Sequence, residues 1–366
     1  MVRKIISSNR LAYLDALRGF AALYVVIYHL SLVPKPSPQV PDWMAIFVGF
    51  GGSGVILFFV ISGFSMCLTW VRHEATGAPF RSFYISRLFR IAPLFYLLLI
   101  LTMLRDFVFK GKLGLHFPSE IVANVFFLFN LYKPFQTGIV WASWTIGVEM
   151  IFYAIFPIII NNIRGRLSRS FGLLATSILI VLLIHKSFNS ESLWYAMTSG
   201  VGFLVLLPTF LFGVTAFYTH KWIESNVNKN LYLSLSLFLS TLSVTGIVFI
   251  IMFRPLQELS YNLTAVCYCG FLLSFSLFKS NPLVNSNTEY IGRISYSLYL
   301  NHPNLIYVLT PIYTLIYQSG SNITLKFTLC IIVTLVILLP LSNLSYKYIE
   351  KPFIRYGKNF LKNLVL

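Results

Sequence analysis

Residues 11–33 read LAYLDALRGFAALYVVIYHLSLV, a run apolar enough to cross a membrane that nevertheless carries Asp15, Arg18 and His29. An ionisable group inside a span costs about 2.5 kcal/mol or more, so one that is kept there marks an interior-facing functional site by default. Arg18 and His29 are eleven residues apart. On a helix that is about three turns with roughly 20° left over, so the two share a face about 16 Å apart along the axis. Asp15 lies three residues before Arg18 on the same side, within pairing reach. A structural reading competes: a buried Asp15–Arg18 pair that only fixes packing, and a His29 at the level of the lipid headgroups.

The rest of the chain matches that opening. Of 366 residues, 57% are hydrophobic and 11% charged, with a mean hydropathy of +0.76. This composition predicts an all-α integral membrane protein in one membrane-embedded domain, with no room for a large soluble domain. A net charge of +17 suits nucleic acid in a soluble chain, but in a membrane chain it reflects basic cytoplasmic loops beside anionic lipid. Nucleic acid is therefore set aside as a partner. The first ten residues hold Arg3, Lys4 and Arg10, yet the span that follows has buried charges and no small-residue cleavage site. It reads as an uncleaved first helix rather than a signal peptide. Cys67, Cys267, Cys269 and Cys330 all fall within apolar runs, which indicates neither a disulfide framework nor a zinc site, and no metal is expected.

Runs long enough to span, about twenty residues, fall at Leu11–Val33, Ala45–Val71, Phe83–Leu104, Ala142–Ile163, Phe171–His185 and Met197–Tyr218. Four more fall at Leu231–Phe253, Tyr261–Phe278, Ile294–Tyr317 and Phe327–Tyr348, making about ten transmembrane helices. A further run, Ile121–Leu131, is too short to cross comfortably and is expected to be re-entrant or interfacial. Loop charge decides the direction. With both termini cytoplasmic and the short run not crossing, the inner segments carry more than twice as many Lys and Arg as the outer ones. Counting the short run as a span would put Arg164, Arg166 and Arg169 outside and reverse every later loop. The outer loop from Arg105 to Trp141 is then a candidate lid or acceptor-docking surface.

In that topology the first span runs outward, with Arg18 in its inner half and His29 near its outer end. The third span opens at the cytoplasmic side with Arg87 and Arg90, three apart on one face, followed by Pro93. Inner-boundary arginines are commonly topology markers. Together with Arg18 they would make a basic vestibule suited to phosphates, because guanidinium forks bind phosphate oxygens bidentately. The second span holds GFGGSGVILFFVISGF from Gly49, where Gly51, Gly52 and Gly54 suit close helix approach or a broken helix. The fourth opens at WASWTIGVEMIFYAIFP, with Trp144 near its start and Glu149 about two turns in. A carboxylate at that depth requires a partner across the bundle or a proton. The ninth begins GRISYSLYLNHP, where Ser295, Tyr299 and His302 recur on one face, with Tyr296 nearby, before Pro303. That stripe is either structural or the lining of a substrate pocket.

These segments resemble the acyltransferase 3 family of bacterial inner-membrane acyltransferases, which modify cell-surface sugars. LDALRGFAALYVVIYH is similar to the family's first-helix signature of an arginine and a histidine separated by ten residues. FFVISGF, Arg87 with Arg90, WTIGVEMIFY, ISYSLYLNHP and the closing YIEKPF around Glu350 follow in the family's order across nearly the whole chain. Ala16 stands where the family commonly has glycine, a small-for-small change. Some relatives carry an extra carboxyl-terminal hydrolase-like domain, for which the residues after Pro352 are expected to be too few. The resemblance implies transfer of an acyl group, usually acetyl, from cytoplasmic acyl-CoA to a hydroxyl of a surface or lipid-linked carbohydrate of the O-antigen or exopolysaccharide type. Arg18, Arg87 and Arg90 would hold the CoA phosphates. His29 would be general base or transient acyl carrier, Glu149 would orient His29 or the acceptor, and Asp15 would hold Arg18. Trp144, Tyr299 and His302 would meet the acceptor. Two other classes stay open: a transporter of a lipid-linked sugar or small anion through the same polar core, and a noncatalytic membrane sensor.

Overall fold

The computed structural model describes residues 11–110, 116–184, 197–198, 200–253, 257–278 and 280–365. Of the loop charges counted above, Arg3, Lys4, Arg10, Lys112, Lys186, Arg254 and Lys279 lie outside these residues, as does His185 of the expected fifth span. Regular structure among the described residues is helical, without strands. In chain order the helices are α1 (Ala12–Leu30), α2 (Asp42–Gly49), α3 (Gly54–Glu74), α4 (Pro79–Lys110), α5 (Pro118–Val125), α6 (Trp144–Ile163) and α7 (Leu167–Ile184). They continue as α8 (Phe203–Asn226), α9 (Tyr232–Phe253), α10 (Gln257–Leu277), α11 (Ser286–Arg293) and α12 (Ser295–Val308). The last three are α13 (Thr310–Gln318), α14 (Ile323–Ser345) and α15 (Lys351–Val365).

Seven helical segments among the described residues are long and apolar enough to cross a membrane: Asp42–Glu74, Pro79–Val108, Trp144–Ile163, Phe203–Asn226, Lys229–Phe253, Leu259–Leu277 and Ile323–Asn363. Each overlaps one expected span. The other three expected spans are helical but fall short of that standard. Asp15, Arg18 and His29 dilute the apolarity of α1; the fifth is represented by a shorter apolar helix, Leu167–Leu183. The ninth is two helices, α12 and α13, separated at Leu309. Pro311 in the first turn of α13 explains the break, since proline lacks the N–H that a continuous helix needs there. The short run beginning at Ile121 is α5 followed by a 3₁₀ turn at Phe129–Leu131.

The chain forms two compact units. One contains the described residues up to Ile61 together with Asn230–Lys347; the other contains Ser62–Lys229 and the residues from Tyr348 onward. In the first unit α1 is central, packing on α11, α12 and the 3₁₀ turn Gly51–Ser53. Asp15 in its first turn suits the positive end of the helix dipole. Its end is closed by Ser31, whose hydroxyl donates to the Tyr28 carbonyl at 2.7 Å. Close approach is what the glycines provide. A Cβ at Gly19 would lie 3.0 Å from the Thr288 carbonyl oxygen, one at Gly54 2.7 Å from that of Ala21, and one at Gly292 would enter the backbone of Asp15. Between helices in lipid, packing of this kind replaces the hydrophobic drive available in water. The second expected span is therefore a broken helix, interrupted where Gly51 and Gly54 meet α1. A capping box of Asn285 and Thr288 starts α11 in the place where Gly292 meets α1. Serines join α9 to α10, with the Ser236 and Ser274 hydroxyls 2.8 Å apart and those of Ser240 and Ser274 2.6 Å apart. The outer face of α9 leaves Leu237, Phe238, Val248 and Phe249 exposed, as a lipid-facing surface requires.

In the second unit the crossing of α3 and α8 depends on Gly63, where a Cβ would meet the Phe210 carbonyl. Phe152 of α6 stacks on Phe210 with centroids 4.2 Å apart. Trp70, Phe83 and Phe156 fill the space among α3, α4 and α6. The loop before α6 is held by buried amides. Asn124 accepts from the Ile139 N–H at 3.1 Å, and Asn130 donates to the Val201 carbonyl at 3.0 Å. Phe129 then lies against Gly147, whose Cβ would come within 2.7 Å of its ring. These contacts fix where α6, and with it Glu149, begins.

Candidate active site

His29 lies in the last turn of α1, half-buried. Its Nδ1 is 3.0 Å from the Val25 carbonyl one turn back. The same nitrogen is 3.1 Å from Nε2 of His302 on α12, and the ring centroids are 4.8 Å apart. His302 is fully buried, and its Nδ1 bonds the Tyr299 carbonyl. Tyr299, also buried, stands with its ring 5.5 Å from that of His302 and edge-on to Phe58 at 5.7 Å. Two of the sequence-predicted residues, 273 positions apart, thus share one hydrogen bond. At the other end of α1, Arg18 Nη1 donates to Asp15 Oδ1 at 2.9 Å. Asp15 is 2% exposed, so the carboxylate is removed from water and its charge is met by the guanidinium.

The second unit holds a different cluster. Glu149, half-buried on α6, accepts from the Ser62 hydroxyl at 2.7 Å and from the Tyr153 hydroxyl in a very short bond. Ser62 is the partner on another helix that a carboxylate at this depth requires. Arg87 extends over the Tyr153 ring at 5.3 Å and the Phe83 ring at 5.4 Å, and donates to Thr69 at 3.2 Å. Its Nε is buried and has no hydrogen-bond acceptor. Among the described residues neither Arg87 nor Arg90 has a carboxylate within ion-pair distance. A buried guanidinium donor left over is costly unless an acceptor arrives, which is what an anion-binding group needs. Trp144 is half-buried at the first position of α6.

Sequence reasoning did not single out Ser62, Thr69 or Tyr153. Tyr153 carried a readable signal, since it follows Glu149 by one turn on the same face. Ser62 lies within the quoted FFVISGF and Thr69 a little over one turn beyond it, but their roles become visible only through their partners. No group of three or more His, Cys, Asp or Glu suited to a metal occurs among the described residues.

Comparison with known proteins supplies the family. The chain is 26% identical to the protein named "Putative peptidoglycan O-acetyltransferase YrhL" of Bacillus subtilis, over 94% of this chain and 55% of that one. It is 23% identical to "O-acetyltransferase OatA" of Staphylococcus aureus, over 97% of this chain and 59% of that one. The chain therefore spans somewhat over half the length of these curated relatives. No solved structure matches it. The family model described as an acyltransferase domain matches residues 11–342, from the first turn of α1 almost to the end of α14, and the chain belongs to that acyltransferase 3 family.

Proposed function

We propose that this protein is a membrane-bound O-acyltransferase that moves an acetyl or similar small acyl group from acyl-CoA to a hydroxyl of a cell-wall or other cell-surface carbohydrate, free or lipid-linked. Family membership supports the reaction class, the names of both relatives support acetyl as the group, and that of the Bacillus subtilis relative supports peptidoglycan as the kind of acceptor. The observation that carries the reading is the imidazole of His29, half-buried and oriented by two partners inside apolar helix packing. As general base it takes the proton of the acceptor hydroxyl while the oxygen forms a bond to the thioester carbonyl carbon; the C–S bond breaks, and the thiolate leaves with the proton. As a transient acyl carrier its ring nitrogen bonds to the thioester carbonyl carbon while the C–S bond breaks and the thiolate leaves; the acceptor oxygen then bonds to that carbon while the C–N bond breaks, and the hydroxyl proton goes to the thiolate.

Arg87 and Arg90 are assigned the phosphates of the donor, supported by the orphaned Nε of Arg87 and by the absence of an ion-paired carboxylate for either among the described residues. The same role is proposed for Arg18, with Asp15 holding it. Glu149, fixed by its two hydroxyl donors, is assigned to orienting the acceptor, and Trp144 and Tyr299 are assigned to the sugar. His302 serves the site through His29, behind which it is fully buried. The proposed setting is a bacterial cytoplasmic membrane crossed ten times with both termini inside, so that Arg18 faces the cytoplasm, His29 the outer side, and the run from Ile121 does not cross.

The test is turnover of the full chain in vesicles given acetyl-CoA and peptidoglycan fragments. Free CoA released in step with acetyl mass gained by the acceptor supports the proposal; neither product appearing overturns it. The break at Gly51–Ser53 favours one alternative, transport, because interrupted helices mark transport paths. Flux of a lipid-linked sugar without CoA release would establish that reading instead.

A further inference from the structure

Two backbone carbonyls decide where the protons of the histidine pair sit. A carbonyl oxygen only accepts, so His302 Nδ1, bonded to the Tyr299 oxygen, carries a hydrogen. His29 Nδ1 faces two acceptors, the Val25 oxygen at 3.0 Å and, once His302 Nδ1 is protonated, the lone pair of His302 Nε2, and the two together favour a hydrogen on it. In the neutral rings the other nitrogen of each is then a lone pair. His302 Nε2 therefore accepts from His29 Nδ1 across 3.1 Å, and the N–H of His29 is shared between an oxygen and a nitrogen. The opposite arrangement, with a hydrogen on His302 Nε2, would set lone pairs against each other at the Val25 or the Tyr299 carbonyl. Only one distribution of protons leaves every contact favourable.

We propose that His302 is a positioning residue that holds His29 in its Nδ1–H tautomer, so that Nε2 of His29 is the atom that takes the acceptor's proton or the acyl group. The assignment rests on the acyltransferase reading above and deepens it. Its logic is that of an acid–base histidine oriented by a third group, but the orienting group is a second, neutral imidazole in place of a carboxylate. The proton balance closes. When Nε2 gains the acceptor's proton, His29 becomes cationic while Nδ1–H stays in place. Its bonds to His302 Nε2 and to the Val25 oxygen become charge-assisted and stronger. Both return to their resting strength when the thiolate carries the proton away. The full burial of His302 keeps water from competing for that bond.

The experiment is nitrogen-15 spectroscopy of histidine-labelled protein in detergent or nanodiscs, at a pH where the rings are neutral, with the His29 signals assigned by their loss in His29→Ala. The expected result is a protonated Nδ1 and an unprotonated Nε2 in the wild type. A mixture of tautomers is expected in His302→Phe, and the wild-type pattern in His302→Gln, whose amide oxygen can accept. In turnover, His302→Phe should lower kcat by about 100-fold with donor KM within about twofold, and His302→Gln should recover about a tenth or more of the wild-type rate. A wild-type His29 protonated on Nε2 overturns the inference, as does a His302→Phe protein whose tautomer and kcat are unchanged. The spectrum is read without turnover. A protein that shows the expected tautomer but consumes no acetyl-CoA therefore overturns the acyltransferase reading and leaves the proton assignment standing.

Discussion

The two units each bury a polar cluster among apolar helices, and the clusters are completed differently. In the first, the ring nitrogens of His29 and His302 are matched to two backbone carbonyls and to each other. In the second, the Glu149 carboxylate is matched to two hydroxyls while the neighbouring Arg87 keeps one buried donor without an acceptor. A matched set that holds an imidazole base in one orientation suits proton or group transfer. A set with a donor to spare suits an anion that arrives from outside. The proposed function gives chemistry to His29 and donor binding to Arg87, and the difference makes separable predictions.

His29→Ala should have the largest effect, lowering kcat by about 100- to 10,000-fold with normal protein level and donor affinity, as measured by CoA release in vesicles. Arg87→Gln should raise donor KM by about 10- to 100-fold, in keeping with about 1.5–3 kcal/mol for hydrogen bonds to charged groups, while kcat changes little. Arg87→Lys should recover only part of that loss, because an ammonium lacks Nε and the planar fork. Gly292→Ala should act on the first unit through packing alone. A methyl group there enters the backbone of Asp15, so unfolding in detergent should show a loss of about 1–3 kcal/mol. Tyr153→Phe removes one of two hydroxyl donors to Glu149 and should cost about 1 kcal/mol in the same assay. Gly172→Ala, on the exposed side of α7 with nothing within 4 Å of a new Cβ, should be neutral or stabilise by up to about 1 kcal/mol.

The features legible in the sequence are those written in local spacing. The Asp15–Arg18 pair follows from residues three apart, and α1, Ala12–Leu30, fills most of the apolar run Leu11–Val33. The glycines of the second expected span announce either close approach or a break, and the structure has both, at Gly51 and Gly54. The break between α12 and α13 is hidden by the apolar residues that continue through it, although Pro311 marks it. Contacts between distant segments leave no such trace. Nothing in SYSLYLNHP says that His302 meets His29, because that contact is set by how α12 packs on α1. Ser62 likewise looks like any small polar residue in a membrane helix until Glu149 is placed beside it.

The division of labour is tested most directly by measuring kcat and donor KM for the wild type, His29→Ala and Arg87→Gln side by side in vesicles. The expected result is that His29→Ala loses kcat at unchanged donor affinity and that Arg87→Gln loses donor affinity at nearly unchanged kcat. Full turnover by His29→Ala would contradict it.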